Sequence, residues 1–162
     1  MKTLRFPLYL ALGAATLLTA ACKKDKDKDE PKPKTKTELL TDKNWMMTAQ
    51  TVSPAMRTNT GRVITDLYAE MDPCDQDDLL QFAKPDAYTL NEGATKCNPS
   101  GPQSYPGTWS FGSNESTLTL KLGNQDPNTY TVQEISDNTM RLTESGTSGG
   151  TSYTITYTFS KR

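Results

Sequence analysis

No histidine occurs among the 162 residues, which removes the usual near-neutral general base, the Ser-His and Cys-His dyads and the commonest zinc ligand together. On residue types alone we expect no enzyme activity, no catalytic residues, no metal centre and no cofactor. Long hydrophobic runs are also missing. The most apolar stretch, Phe6 to Leu18, covers 13 residues, whereas a bilayer-spanning helix needs roughly 20. A basic surplus is absent from the body of the chain, because from Glu38 onward nine Lys and Arg face fifteen Asp and Glu, a formal charge of −6. Such a domain repels phosphate backbones and carries no basic stripe, so nucleic acid is excluded as a partner. Cysteine is scarce, with three in all.

What is present begins at the N-terminus. Lys2 and Arg5 precede the apolar run, and Ala20 and Ala21 precede Cys22, the order of parts that makes a cleavable export signal. A cysteine at the first position after the cut resembles the lipobox of bacterial lipoproteins. In that class the thiol receives a diacylglycerol and the new amine an acyl chain such as palmitate. Each buried CH₂ contributes ~0.8 kcal/mol, so several chains on one residue anchor a protein that a single chain would hold only marginally. We therefore expect residues 1–21 to be a signal peptide and Cys22 to be the lipidation site. The membrane would then be a partner through this anchor, and the location the outer membrane, on its periplasmic face or at the cell surface.

Removing an acylated Cys22 leaves an even pair, Cys74 and Cys97, which an oxidising compartment would join as a disulfide. A loop of about two dozen residues closed in this way contributes ~3 kcal/mol through the unfolded state.

Residues 23–37 hold seven lysines, four acids and no apolar side chain. Such a segment cannot bury enough surface to offset its ordering entropy, so residues 22–37 are expected to form a solvated, disordered tether. Its lysines favour anionic lipid heads near the anchor. The remaining residues, 38–162, provide one domain with room for one core. It is expected to be monomeric.

Within that domain the dominant signal is period-two alternation. Tyr153, Ile155, Tyr157 and Phe159 alternate with Thr154, Thr156 and Thr158, and Leu118, Leu120 and Leu122 alternate with Thr119 and Lys121. The same pattern gives eight strand cores near 45–52, 79–83, 87–92, 108–111, 116–122, 129–135, 139–144 and 152–160. Eight sequential strands without a long helical pattern predict an all-β fold, an antiparallel up-and-down barrel. Successive connections in such a barrel alternate between its ends. The short ones, 84–86, 112–115 and 136–138, fall at one end, and the long ones, 53–78, 93–107, 123–128 and 145–151, at the other. The shape is a container with a closed base and a loop-rich mouth, where binding usually sits.

Cys74 and Cys97 both fall in mouth connections. The first of these also places Val63, Leu67 and Met71 at helical spacing, which predicts a short amphipathic lid pinned by the bridge. At the base, Thr37 followed by Glu38, Leu39 and Leu40 reads as an N-cap and a short N-terminal helix ahead of Trp45. The turn into Trp45, the stretch from Cys74 to Asp78, the run from Glu92 to Cys97 and the step Gly107, Thr108, Trp109 together resemble the lipocalin-like domain of small bacterial lipoproteins, over roughly 39–159. The resemblance implies an eight-stranded barrel, a helix closing its base and a small-ligand pocket.

Nearly all inward positions carry large side chains, so any cavity should be modest and confined to the mouth half. The candidate ligand-binding residues are Leu67, Met71, Tyr88, Trp109, Tyr130, Tyr153 and Tyr157. The tyrosine hydroxyls either meet a bound molecule or sit at the rim of an ordinary core. The acids Asp72, Asp75, Asp77 and Asp78 form either a solvated rim or a set of oxygen ligands for Ca²⁺, without the spacing of an EF-hand loop. The leading expectation is a lipid-anchored envelope module that takes a small apolar or amphipathic ligand at its mouth. The alternative is a protein-interaction module, an accessory subunit or inhibitor, that presents the loop 93–107 to an envelope protein.

Overall fold

The computed structural model of the chain describes residues 32–162. The signal peptide, Cys22 and most of the tether lie outside the described residues.

The first ordered element is a helix, α1 (Lys36–Leu40), capped by Thr35 rather than Thr37. The Glu38 amide donates to Thr35 Oγ1 at 3.2 Å, and Glu38 Oε2 accepts from the Thr35 amide at 2.7 Å. This reciprocal pairing explains the shift. A cap at Thr37 would place Leu40 where a returning acceptor is needed, and leucine offers none. Structure therefore begins a few residues before the expected tether boundary of 37. A five-residue helix is marginal alone, and this one is held by its cap and by fully buried Leu40.

Nine strands follow: β1 (Asn44–Arg57), β2 (Val63–Asp66), β3 (Leu79–Ala83), β4 (Ala87–Asn91), β5 (Ser104–Phe111), β6 (Thr117–Leu122), β7 (Asn128–Ile135), β8 (Thr139–Ser148) and β9 (Thr151–Lys161). A second short helix, α2 (Pro73–Gln76), precedes β3. Strand β1 pairs with β3, each later strand pairs antiparallel with the next, and β9 returns to β1. Eight strands thus close a barrel, as the alternation predicts. The ninth, β2, lies outside the ring and pairs with the far half of β1 at Arg57↔Val63 and Met56↔Ile64.

That ninth strand replaces the helix expected at Val63, while a shorter helix, α2, carries Cys74 of the bridge later in the same connection. Val63, Ile64 and Thr65 are β-branched, and β1 runs on past its pairing with β3, leaving an open edge for them to cover. Val63 is half exposed, and a single 3₁₀ turn, Tyr68–Glu70, and then α2 follow it. Helical spacing of three apolar residues did not outweigh a free strand edge.

The other departure is at 145–151. In place of a loop, β8 and β9 stay paired out to Ser148↔Thr151. The turn is Gly149-Gly150, with φ of +57° and +78°, the backbone that a two-residue hairpin turn demands. Because Ser, Thr and Gly fill this stretch, neither face of the ribbon shows apolar alternation, and the strands were invisible to that signal.

The core is densest at the base. Leu40, Trp45, Leu118 and Met140 are completely buried. Trp45 Nε1 donates to the Leu40 carbonyl at 2.9 Å, which ties α1 across the barrel end. Phe82 stacks on Tyr88, and Trp109 stands edge-on to both Phe82 and Phe111. Gly107 is explained by this packing. A Cβ there would lie 2.1 Å from the Lys121 carbonyl oxygen and 2.9 Å from the Tyr88 ring, so only a bare backbone fits before Trp109.

Candidate ligand-binding site

Above the aromatic base the barrel opens into a cavity of about 260 Å³, close to the lower end of the size range of small-molecule pockets. Its apolar lining comes from Leu120, Leu142 and Phe159 with Met47, Leu80 and Leu90. The polar lining is Tyr88, Tyr130 and Tyr157. The connection between β2 and β3 adds Met71, Asp75 and Asp78. The void is in the mouth half, where the inward pattern places it.

The cover over this cavity is fastened rather than loose. Cys74 and Cys97 form a disulfide with Cα atoms 5.2 Å apart, joining α2 to the loop between β4 and β5. Asp77 Oδ2 accepts from the amides of Ala94 and Thr95 at 3.0 and 2.9 Å. Glu92 Oε2 accepts from the Cys97 amide at 3.1 Å. Gly93 has φ of +58°, and a Cβ there would lie 2.2 Å from the Asp77 carbonyl oxygen. Both conformation and proximity therefore require glycine. The loop is also shorter than expected, since Ser104 to Gly107 are already part of β5. Asp75 Oδ1 sits 3.2 Å from Cys97 Sγ. Because both sulfurs are consumed in the bridge, this cluster offers no thiolate to a metal.

The electrostatics of the cavity follow from burial. Tyr130 and Tyr157 meet edge to face at 5.5 Å, and the Tyr157 hydroxyl donates to Glu144 Oε1 at 2.8 Å. Burial is the largest cause that pushes the Tyr88, Tyr130 and Tyr157 hydroxyls above their ordinary range, with nearby charge adding to it. All three stay neutral and remain hydrogen-bonding groups. Asp78 is pushed up to about 6, first by burial and then by the neighbouring charges of Glu92, Asp75 and Asp77. Its Oδ1 is buried and, among the described residues, has no hydrogen-bond partner.

Of the seven residues expected to bind ligand, Met71, Tyr88, Tyr130 and Tyr157 line the cavity. Three do not. Leu67 follows β2 and leads into the 3₁₀ turn, with its amide donating to the Gln50 carbonyl at 2.7 Å. Trp109 belongs to the base, where Nε1 donates to the Ala83 carbonyl at 3.0 Å. Tyr153 pairs with Gly146 on the projecting ribbon. Alternation shows which side chains face inward but not how deep they lie. Counting positions from the short base turns does not separate them either, since Tyr88 lies as near its turn as Trp109 does and still lines the cavity. The acidic stretch splits three ways. Asp77 ties the loops, Asp75 and Asp78 line the cavity, and Asp72 stands at the start of α2 without capping it. Asp75 and Asp78 were flagged only as rim acids or calcium ligands.

No curated protein matches the chain. A family model for the lipocalin-like domain matches residues 41–142, a span that runs from the end of α1 through the base of β8 and so takes in the cavity floor and its fastened cover. With the closed eight-stranded ring, its helix-sealed base and its single-mouthed hollow, the chain belongs to the lipocalin-like domain family.

Proposed function

We propose that this protein is a lipid-anchored cell-envelope lipoprotein whose barrel binds a small apolar or amphipathic ligand in its mouth-half cavity. The observation that carries the reading is the cavity itself, apolar over most of its surface, edged by three neutral tyrosines and closed by a disulfide-fastened cover. Proteins of the lipocalin-like family are in general binding proteins rather than enzymes, and the absence of histidine agrees with that.

The anchor reading rests on the sequence around Cys22. The fold supports the matching orientation, because α1 emerges at the base, opposite the mouth. Lys36 Nζ donates there to the Glu115 carbonyl at 2.8 Å, and Lys34 pairs with Asp137. Lys43, Lys161 and Arg162 line a shallow groove at the same end, suited to anionic lipid heads. The base then faces the outer membrane and the mouth faces away.

Two measurements test these statements. Titration of the full chain with small apolar compounds, followed by calorimetry, is expected to saturate at one site. Cys22→Ser is expected to abolish fatty-acid labelling and move the protein from the membrane to the soluble fraction. The second reading, a protein-interaction module, is favoured by the rigidity of the bridged loop, in which Lys96 Nζ also donates to the Gly101 carbonyl at 2.7 Å. A solid response profile with no saturation, alongside a stoichiometric protein partner, would select it.

A further inference from the structure

The cavity is apolar but not electrically neutral. Among the described residues, Asp75 and Asp78 are the only charged groups that line it, and both are acids. No Lys or Arg among the described residues reaches the lining to balance them. The cations carried by the nearby connections are already engaged, Arg62 by both oxygens of Glu70 and Lys96 by the Gly101 carbonyl. Asp77, next in sequence, directs Oδ2 to two loop amides. Oδ1 of Asp77 and Oδ1 of Asp78 are both buried with no hydrogen-bond partner among the described residues, and of the two acids only Asp78 lines the cavity. A buried carboxylate oxygen without a donor is unfavourable unless something else supplies one.

Asp78 also stands among other acids, with Glu92, Asp75 and Asp77 acting on it. The cavity wall facing it carries aromatic rings, Tyr88, Tyr130 and Tyr157, whose faces attract cations. Volume sets the remaining limit. At the ~30 Å³ that one water occupies in the liquid, 260 Å³ holds about nine water-sized groups.

We infer that the ligand is a small organic cation, an apolar or aromatic body bearing one protonated amine, with the ammonium held by Asp78 and Asp75 beneath the bridged cover and the apolar body resting on Leu120, Leu142 and Phe159. The inference rests on the ligand-binding reading above and narrows it to one charge class. An apolar floor with two carboxylates at the rim discriminates by charge, since an anion of the same shape meets two like charges and a neutral molecule, even one whose hydroxyl donates to Asp78, leaves the negative charge uncompensated.

The test uses the full chain and three probes of closely similar size: 2-phenylethylamine, 2-phenylethanol and phenylacetate. Calorimetric titration at neutral pH and low salt is expected to show the amine binding at least tenfold more tightly than the alcohol, with the anion weakest. Asp78→Asn, which removes the charge and keeps the shape, is expected to erase the preference for the amine, bringing amine and alcohol within about twofold of each other. Asp75→Asn is expected to reduce the preference in part. Equal affinity for amine and alcohol, or an amine preference that survives Asp78→Asn, would overturn the charge assignment and leave the cavity as a neutral site. Saturation by none of the three would overturn the cavity reading together with it.

Discussion

The two ends of the barrel use similar residues to opposite effect. At the base, Phe82, Trp109 and Phe111 pack edge to face around completely buried Leu118 and Met140, and each indole nitrogen finds a backbone carbonyl. Above it, Tyr88, Tyr130 and Tyr157 border a void, and two buried carboxylate oxygens, Oδ1 of Asp77 and of Asp78, are left without a donor among the described residues. The base is held by packing, and the mouth by covalent and hydrogen-bonded fastening of its loops. Density at one end and strain at the other is the arrangement expected when one end supports and the other binds.

The largest effect should come from the base. Trp45→Ala is expected to destabilise by about 3–5 kcal/mol, read by denaturant unfolding, since Trp45 is completely buried and spans to α1. Leu90→Ala at the mouth is expected to cost about 1 kcal/mol, because a half-buried side chain that borders an existing void loses fewer contacts. Equal costs would mean that the mouth is packed as tightly as the base.

Next comes the fastening. Replacing both Cys74 and Cys97 with serine opens a covalent loop with a sequence separation of 23, which is expected to cost ~3 kcal/mol. Hydrogen exchange should accelerate in the two bridged connections and change little at the base. Gly93→Ala combines a positive φ with a collision against Asp77, and about 2 kcal/mol is expected in thermal or denaturant unfolding. Here too, the exchange changes should stay at the mouth.

The smallest effect has the opposite sign. The folded-state pKa of Asp78, about 6, lies above the ordinary carboxylate value, so the folded state favours the protonated acid. Its penalty is absent below about pH 4, develops as pH rises towards 6 and is constant above that. Asp78→Asn is therefore expected to stabilise the protein near pH 7.5. The gain is about 1 kcal/mol once solvent screening of this partly exposed group is allowed for, and it disappears below pH 4. A stability gain that is flat across this range would remove Asp78 as its source.

Much of this architecture was legible in the chain. The ring of eight strands, the short turns at the base and the pairing of Cys74 with Cys97 all follow from period-two patterning, loop length and cysteine count, which are properties of the sequence alone. The misreadings share one physical cause. The sequence pattern points to Thr37 as a cap, to a helix at Val63 and to a loop over 145–151, and the structure differs at each because the deciding partner lies elsewhere in the element or in space. Those partners are the Glu38 side chain, the free edge of β1 and the paired strand across Gly149-Gly150. Depth along the barrel axis was equally hidden, and so Trp109 was grouped with cavity residues although it packs at the base.

By itself, the amino-acid order determined which faces are apolar, which connections are long and that no histidine chemistry is available, since each is a property of residue type and spacing. Only the tertiary structure decided which inward side chains fill space and which border a hollow, and that Asp75 and Asp78, rather than Asp72 or Asp77, meet that hollow. Closing a sheet into a ring brings residues from seven different strands and one connection around a single hollow. Whether they touch there or leave a gap depends on the sum of their volumes, which no local pattern records.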